Sequence, residues 1–382
     1  MLKAVFTFIP FGFVVCAMFF FVVPAKLRTR VQAIWAMVLL ACASKFLCFQ
    51  MFGGDAFAPE LPEKLIWAWN WAYSGMCILV GLSFACLPLR WLLRRKLFAT
   101  AAGRLLWLVA LPGLSWCIAA VGVWNGIRPP EVVEFEAEFE NLPEALDGYR
   151  IVHVTDIHVS AAARRWRTEA IVERVNAADA DLICLTGDYV DGVPGRQARN
   201  VEPLKNLKAR DGVIAVTGNH EYYFDMYGWW RLYHKWGLDF LSNNCVSPRE
   251  GLVVAGVPDP KCELLWEPLP DPDAAFASAT NGEFRILLQH RPFIDFEELS
   301  GTTMCERCDL QLSGHTHGGV APGMATAVSL FNAGMVRGMY EAPDGRKVYV
   351  SSGAGQWAGF PIRIFDDPEI AVITLRRSPK RP

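Results

Sequence analysis

Hydrophobic and polar positions divide this chain near residue 126. Before that point apolar residues run almost unbroken; after it, short apolar runs alternate with polar blocks. Four early stretches, Val5–Val23, Val31–Phe52, Leu65–Leu87 and Leu105–Val123, are each about 20 residues long. At ~1.5 Å per residue, a helix of that length crosses a ~30 Å hydrocarbon core. The first stretch is followed by Lys26, Arg28, Arg30 and a second apolar run rather than a small-residue cleavage site, so it reads as a retained span. The pattern predicts an all-α transmembrane region of four helices over residues 1–126.

Beyond Arg128-Pro129-Pro130, where proline ends helical continuation, the period changes. Val133–Phe139 alternates apolar and charged residues, as a strand with one wet face does. Short apolar runs follow at Tyr149–Val154, Leu182–Leu185, Val213–Val216, Leu252–Val257, Phe284–Leu288, Leu310–Leu312, Val348–Val350 and Ile370–Leu375. Between some of them lies helical pattern, as in Thr168–Ala177, with Ile171, Val172 and Val175 on one side. Strands interleaved with helices predict an α/β sheet, and the later hairpin-like runs add antiparallel pairing. The expected organisation is a linker and first strand over 127–148 and one α/β domain over 149–382.

Loop charge adds an orientation. Lys26, Arg28 and Arg30 follow the first span, and Arg90, Arg94, Arg95 and Lys96 follow the third. Asp55, Glu60 and Glu63 against Lys64 lie between the second and third. The positive-inside rule places the basic loops in the cytoplasm, hence the α/β domain on the extracytoplasmic side; Lys3 alone argues the other way. Lys45, inside the second span, lies within about 10 Å of its outer end, so snorkelling is expected, with a headgroup or substrate contact as the alternative. The net charge of -2 gives no reason to expect nucleic acid as a partner. The mean hydropathy of +0.21 averages two unlike halves.

The polar blocks carry the chemistry. Asp156-Ile157-His158, Gly187-Asp188 with Asp191, Gly218-Asn219-His220-Glu221, His290 and Gly314-His315-Thr316-His317 hold five of the seven histidines. Each main block follows an apolar strand run, and ligands at the carboxyl ends of adjacent strands converge on one crevice of an open sheet. Two divalent ions ~3.5–4 Å apart repel each other and need a shared anion. Asp188, after a glycine that permits a tight turn, is the best candidate. Asp156 and His158, read as two apart on an extended segment, could clamp one ion. His315 and His317 could clamp one ion jointly or serve one each, while Asn219 and His290 add a neutral oxygen and an imidazole. Two acids against two cations leave surplus positive charge, which lowers the pKa of a bridging water toward ~7 and attracts a phosphate ester. His220 is then the candidate to serve the leaving-group oxygen, with Asp191 and Glu221 orienting imidazoles. His153, inside its strand, and His234 read as ordinary polar residues.

These ordered blocks resemble the calcineurin-like metallophosphoesterase superfamily over about residues 149–377. The tail from Tyr349 through Pro361-Ile362-Arg363 to Ile370 is similar to its membrane-associated bacterial YkuE/YaeI-like branch. The resemblance implies a four-layer α/β/β/α sandwich and a dinuclear Mn, Fe or Zn centre. It implies that Asp156, His158, Asp188 and His317 hold one ion, that Asp188, Asn219, His290 and His315 hold the other, and that His220 assists the leaving group. The chain departs from the branch at Val320, where Gln is usual, and at Ser160, where Gly is common; four spans also exceed the expected single anchor.

Three further features have two readings each. Arg363 and Glu369 could contact substrate or pair with each other. The aromatic segment Tyr227–Trp236 is a core-facing or cleft-lining helix, or else a headgroup-level platform for a lipid. Cys305 and Cys308 are expected to form a structural disulfide if the domain lies outside, whereas Cys184 reads as a core thiol.

The function expected from all this is hydrolysis of phosphate mono- or diesters, of membrane lipids or envelope precursors, by a metal-bridging hydroxide. A cytoplasmic-face pyrophosphatase of nucleotide-linked lipid precursors is one alternative. The other is a transporter or sensor whose metal-binding domain is not catalytic.

Overall fold

The computed structural model describes residues 2–25, 28–93, 99–292, 307–321, 323–357 and 362–379. Its contacts divide into two units, Met1–Gly126 with Trp357–Ile364, and Ile127–Gln356 with Phe365–Pro382.

The first unit is helical. Leu2–Ala17 continues into a wider π turn over Met18–Val22. Thr29–Ala43 and Lys45–Gly53 form a pair bent by 50°. Glu63–Ala85 and Ala101–Ile127 are long and apolar enough to cross a membrane, and the bent pair makes a third span if counted as one. The bend falls at Ser44, whose hydroxyl donates to the Ala41 carbonyl at 2.7 Å, a side-chain bond of the kind that bends helices. Val14, Phe21, Leu39, Met76, Leu79 and Leu111 form the packed interior. Gly75 allows close helix contact, since a Cβ there would lie 2.6 Å from the Trp116 ring.

Lys45 does not snorkel. It is fully buried, its ammonium 4.4 Å from the ring centroid of Phe46, 5.0 Å from Tyr73 and 5.4 Å from Phe49. The bend turns this first residue of the second helix inward, and aromatic faces stand in for the interface it was expected to reach.

The second unit contains eleven described strands: β1 (Glu131–Phe139), β2 (Arg150–Val154), β3 (Leu182–Thr186), β4 (Val213–Val216), β5 (Asn244–Arg249), β6 (Leu252–Gly256), β7 (Phe284–Leu288), β8 (Leu310–Ser313), β9 (Gly338–Glu341), β10 (Lys347–Val350) and β11 (Glu369–Arg377). They form two sheets, ordered β1-β11-β2-β3-β4 and β5-β6-β7-β8-β10-β9. β2, β3 and β4 run parallel, as do β6, β7, β8 and β10; antiparallel pairs join β11 to β2, β5 to β6 and β9 to β10.

Alternation along the central strands supplies two cores. Ile151, Leu182, Cys184, Ile214 and Val216 of the first sheet share one cluster with Leu252, Val254, Phe284, Ile286, Leu310 and Leu312 of the second. Val152, Val154, Ile183, Leu185 and Ala215 point the other way, into a cluster with Ile171, Val172 and Val175 of helix Arg165–Ala177 and with Trp229 and Tyr233. β5 and β9 went unpredicted because they are edge strands with polar, largely exposed sequences and lack an apolar run.

Candidate metal centre

All five polar blocks lie just past the carboxyl ends of β2, β3, β4, β7 and β8. The first three strands belong to one sheet and the last two to the other, so the crevice is framed by the edges of two sheets rather than one. Close backbone approach makes this convergence possible. Gly187 has φ +91°, and a Cβ there would stand 2.3 Å from the Gly218 nitrogen; a Cβ on Gly314 would stand 2.2 Å from Asp156 Oδ2.

The blocks themselves turn sharply. Asp156, His158, Asp188, His315 and His317 all have φ between 48° and 70°, left-handed values rare for residues with side chains. The segment Asp156–His158 is therefore not extended, contrary to the expectation from its spacing. Two left-handed residues aim both side chains at one point, with His158 Nε2 3.8 Å from Asp156 Oδ1.

Two groups of donors result. In the first, His317 Nε2 lies 3.6 Å from Asp156 Oδ1 and 3.2 Å from His158 Nε2. In the second, His290 Nε2 lies 3.2 Å from both Asp188 Oδ2 and His315 Nδ1. Asp188 Oδ2 reaches toward both, standing 3.7 Å from His158 Nε2 as well as 3.2 Å from His290 Nε2. Asp156 Oδ1 and Asn219 Oδ1 are buried without a hydrogen-bond partner among the described residues. An orphaned buried oxygen costs free energy unless a cation or water meets it. These orphans, in a mixed N and O donor set, fit divalent ions.

Electrostatics point the same way. Burial opposes charge on His158, but Asp191, Asp156 and Asp188 outweigh it and hold the imidazole up to about 10. Burial likewise opposes charge on His290, where Asp188 and then Asp156 hold it up to about 10. Burial would raise Asp156 and Asp188, yet the surrounding imidazoles keep both below the usual carboxylate range. The pocket calls for positive charge. His315 goes the other way: burial, then Arg291 and His290, depress it.

The supporting contacts are specific. Asp191 Oδ1 meets both His158 Nδ1 at 3.0 Å and His220 Nδ1 at 2.6 Å, so one carboxylate orients two rings. His220 then turns Nε2 toward the centre, 3.9 Å from Asp188 Oδ2. Glu221 orients no imidazole. It accepts backbone N–H groups of Gly218 (2.8 Å), Tyr189 (2.8 Å) and Asp188 (3.0 Å), pinning the β3 and β4 turns together. Burial and the Asp188 charge push its carboxyl up to about 7. Two threonines escaped the sequence reading. The Thr186 carbonyl accepts from His290 Nδ1 at 2.7 Å, which leaves Nε2 free to face Asp188, and the Thr155 hydroxyl donates to Asp156 Oδ2 at 2.9 Å. A backbone acceptor has no sequence signature; a threonine ending a strand run is a weak one.

The remaining candidates sort readily. His153 is buried against the Thr186 hydroxyl at 2.7 Å, and His234 is exposed beside Asp239. Ser160 bridges to Ala163, and Val320 is buried with φ +66° directly after the Gly318-Gly319 turn. Glu369 accepts from Tyr349 (2.8 Å), Ser351 (2.8 Å) and the Ser352 amide (3.0 Å), not from Arg363. Arg363 is buried in the helical unit, its amide donating to the Gly122 carbonyl. Trp229 and Tyr233 of helix Met226–Lys235 face the core, whereas Tyr227 and Trp230 are about half exposed. Cys184 is a core residue; Cys305 of the expected disulfide lies outside the described residues.

The calcineurin-like phosphoesterase family matches residues 149–319. The chain is similar to a transmembrane protein with metallophosphoesterase domain from Danio rerio, 33% identical over 272 residues that cover 68% of this chain and 61% of that protein. An uncharacterized metallophosphoesterase of Helicobacter pylori (strain ATCC 700392 / 26695) is 32% identical over 267 residues, covering 70% and 68%. The uncharacterized metallophosphoesterase YkuE of Bacillus subtilis is 27% identical over 260 residues, covering 64% and 85%.

Proposed function

Since this chain belongs to the calcineurin-like metallophosphoesterase family and is a metal-dependent phosphoesterase, we propose that its two donor groups hold a pair of divalent ions and hydrolyse phosphate mono- or diesters of membrane lipids or envelope precursors. The observation that carries this reading is the reach of Asp188 Oδ2 to both groups, as a shared ligand requires. Asp156, His158, Asp188 and His317 would hold one ion; Asp188, Asn219, His290 and His315 would hold the other. Mn, Fe and Zn all suit these donors. When bound, the ions supply an activated water and positive charge beside the phosphate oxygens.

The chain's own residues do the rest. His220, with Nδ1 tied to Asp191, presents Nε2 to the centre and can pass a proton to the departing oxygen. Asp191 holds that ring and the His158 ring in one tautomer. Glu221 keeps Asp188 and Asn219 in register through the backbone.

The shared core between the sheets, with helix Arg165–Ala177 against the first and the short helix Pro272–Ala275 beside Val253, Ala255 and Leu287 of the second, supports a four-layer α/β/β/α domain over residues 149–382 after a linker and first strand over 127–148. The spanning helices and the relative named as transmembrane support a membrane protein, and a count of four spans over 1–126 adds the shorter apolar helix over Phe8–Val22 to the two long helices and the bent pair. Basic first and third loops favour an extracytoplasmic catalytic side. The half-exposed Tyr227 and Trp230 and the tie to the membrane favour a lipid-like substrate.

One purified sample tests the core of the proposal. Metal analysis should find about two ions per chain, and chelation should abolish hydrolysis of simple phosphodiesters and phospholipids until metal is restored. Hydrolysis that survives complete chelation would refute it. A reporter fused after Pro382 reads the side of the membrane.

A further inference from the structure

Along the second sheet, the carboxyl ends of β6, β7 and β8 place Asp259, the His290-Arg291 pair and His315 in a row. His290 and His315 face the metal centre; Asp259 and Arg291 have no part in it. Arg291 Nε and Nη2 donate to the two oxygens of Asp259 at 2.7 and 3.1 Å. The Asp259 side chain is fully buried, and that of Arg291 is 13% exposed. A carboxylate on the Nε–Nη2 edge fixes the guanidinium plane and leaves Nη1 without a hydrogen-bond partner among the described residues.

The pair borders the turn that carries Asn219 and His220. The Asp259 amide donates to the Thr217 hydroxyl at 3.4 Å, and that hydroxyl lies 3.1 Å from the Tyr222 hydroxyl. The next residue, Tyr223, is about half exposed, with its ring 5.5 Å from that of His220. Arg291 makes itself felt here. Burial raises the Tyr223 hydroxyl, and the guanidinium opposes that rise.

A buried ion pair is a poor source of stability compared with apolar packing. One that holds an arginine rigid with a donor edge open suits a planar or tetrahedral oxyanion. The ions would neutralise the phosphate under attack, so a second anionic group beside His220 needs its own cation. We infer that Arg291, held side-on by Asp259, is a specificity-determining residue that receives a second anionic group on the leaving-group side of the scissile bond, a phosphate or a carboxylate. The inference rests on the phosphoesterase reading above.

The test compares full-length, metal-loaded wild type with Arg291→Lys and with the double variant Arg291→Gln/Asp259→Asn, which leaves no buried charge unpaired. Substrates are bis(4-nitrophenyl) phosphate, bis(4-nitrophenyl) diphosphate and bis(4-carboxyphenyl) phosphate. Relative to the first ester, kcat/KM for the diphosphate or the carboxylate should fall about 10-fold to 100-fold in both variants, and the arm that falls identifies the group. Inorganic pyrophosphate should also raise the melting temperature of wild type more than equimolar phosphate, and the double variant should lose that difference. Proportional losses on all three esters, or a pyrophosphate shift that survives in the double variant, would overturn the inference alone. A metal-replete wild type inert toward every ester would instead overturn the phosphoesterase reading, while the melting comparison still reports on Arg291.

Discussion

Both units bury charge, and they resolve it in opposite ways. In the helical unit Lys45 lies among Phe46, Phe49 and Tyr73, whose ring faces meet the ammonium. In the α/β unit Asp156, Asp188 and Asp191 are buried together with His158 and His290, and the acids hold both imidazoles up to about 10. There the protein's own groups do not finish the task, since Asp156 Oδ1 and Asn219 Oδ1 stay unpartnered among the described residues. Buried charge by itself therefore does not mark a site. Buried acceptors converging on a volume that no protein donor fills do mark one.

Mutations can break or sharpen this contrast. The largest effect is expected from Asp188→Asn, which removes the acceptor common to both donor groups: metal content and phosphodiesterase turnover should disappear together. His220→Ala should keep its metal and lose about 10²- to 10⁴-fold in kcat, the usual contribution of a proton-transfer residue. If metal were lost as well, His220 would have to be reassigned as a ligand. Asp191→Asn should cost about 10- to 100-fold in activity or metal affinity, because it only orients His158 and His220.

Smaller effects are expected away from the centre. Trp229→Ala should destabilise the α/β unit by about 3–5 kcal/mol, a loss that denaturant unfolding can measure; Trp230→Ser should change it by less than about 0.5 kcal/mol. Lys45→Met should alter stability by no more than about 2 kcal/mol in either direction and leave metal content and turnover at wild-type levels. A loss of turnover in Lys45→Met would show that the two kinds of buried charge are not independent.

Much of this was legible in the sequence because it was periodic or local. Eight of the strands coincide with short apolar runs, since strands packed on both faces need nearly continuous apolar residues, and β1 shows instead the alternation of a strand with one wet face. The blocks were visible because strand ends must turn, and here the turns carry Asp, Asn and His. The illegible parts depend on pairing and direction. Edge strands β5 and β9 lack an apolar run. Glu221 sits beside an imidazole in sequence but binds backbone amides, and Lys45 turned inward because of a bend that its apolar neighbours do not announce.

By itself the sequence determined the division into an apolar helical part and an α/β part, the family, and the polar blocks that follow the strand runs, because each follows from local composition and order. Only the tertiary structure decided that the blocks come from two sheets, that five of their residues are left-handed, and that Asp191 serves two rings while Asp259 fixes Arg291. These facts depend on which strand ends face one another across the crevice. Contacts of that kind join residues far apart along the chain, and no local pattern encodes them.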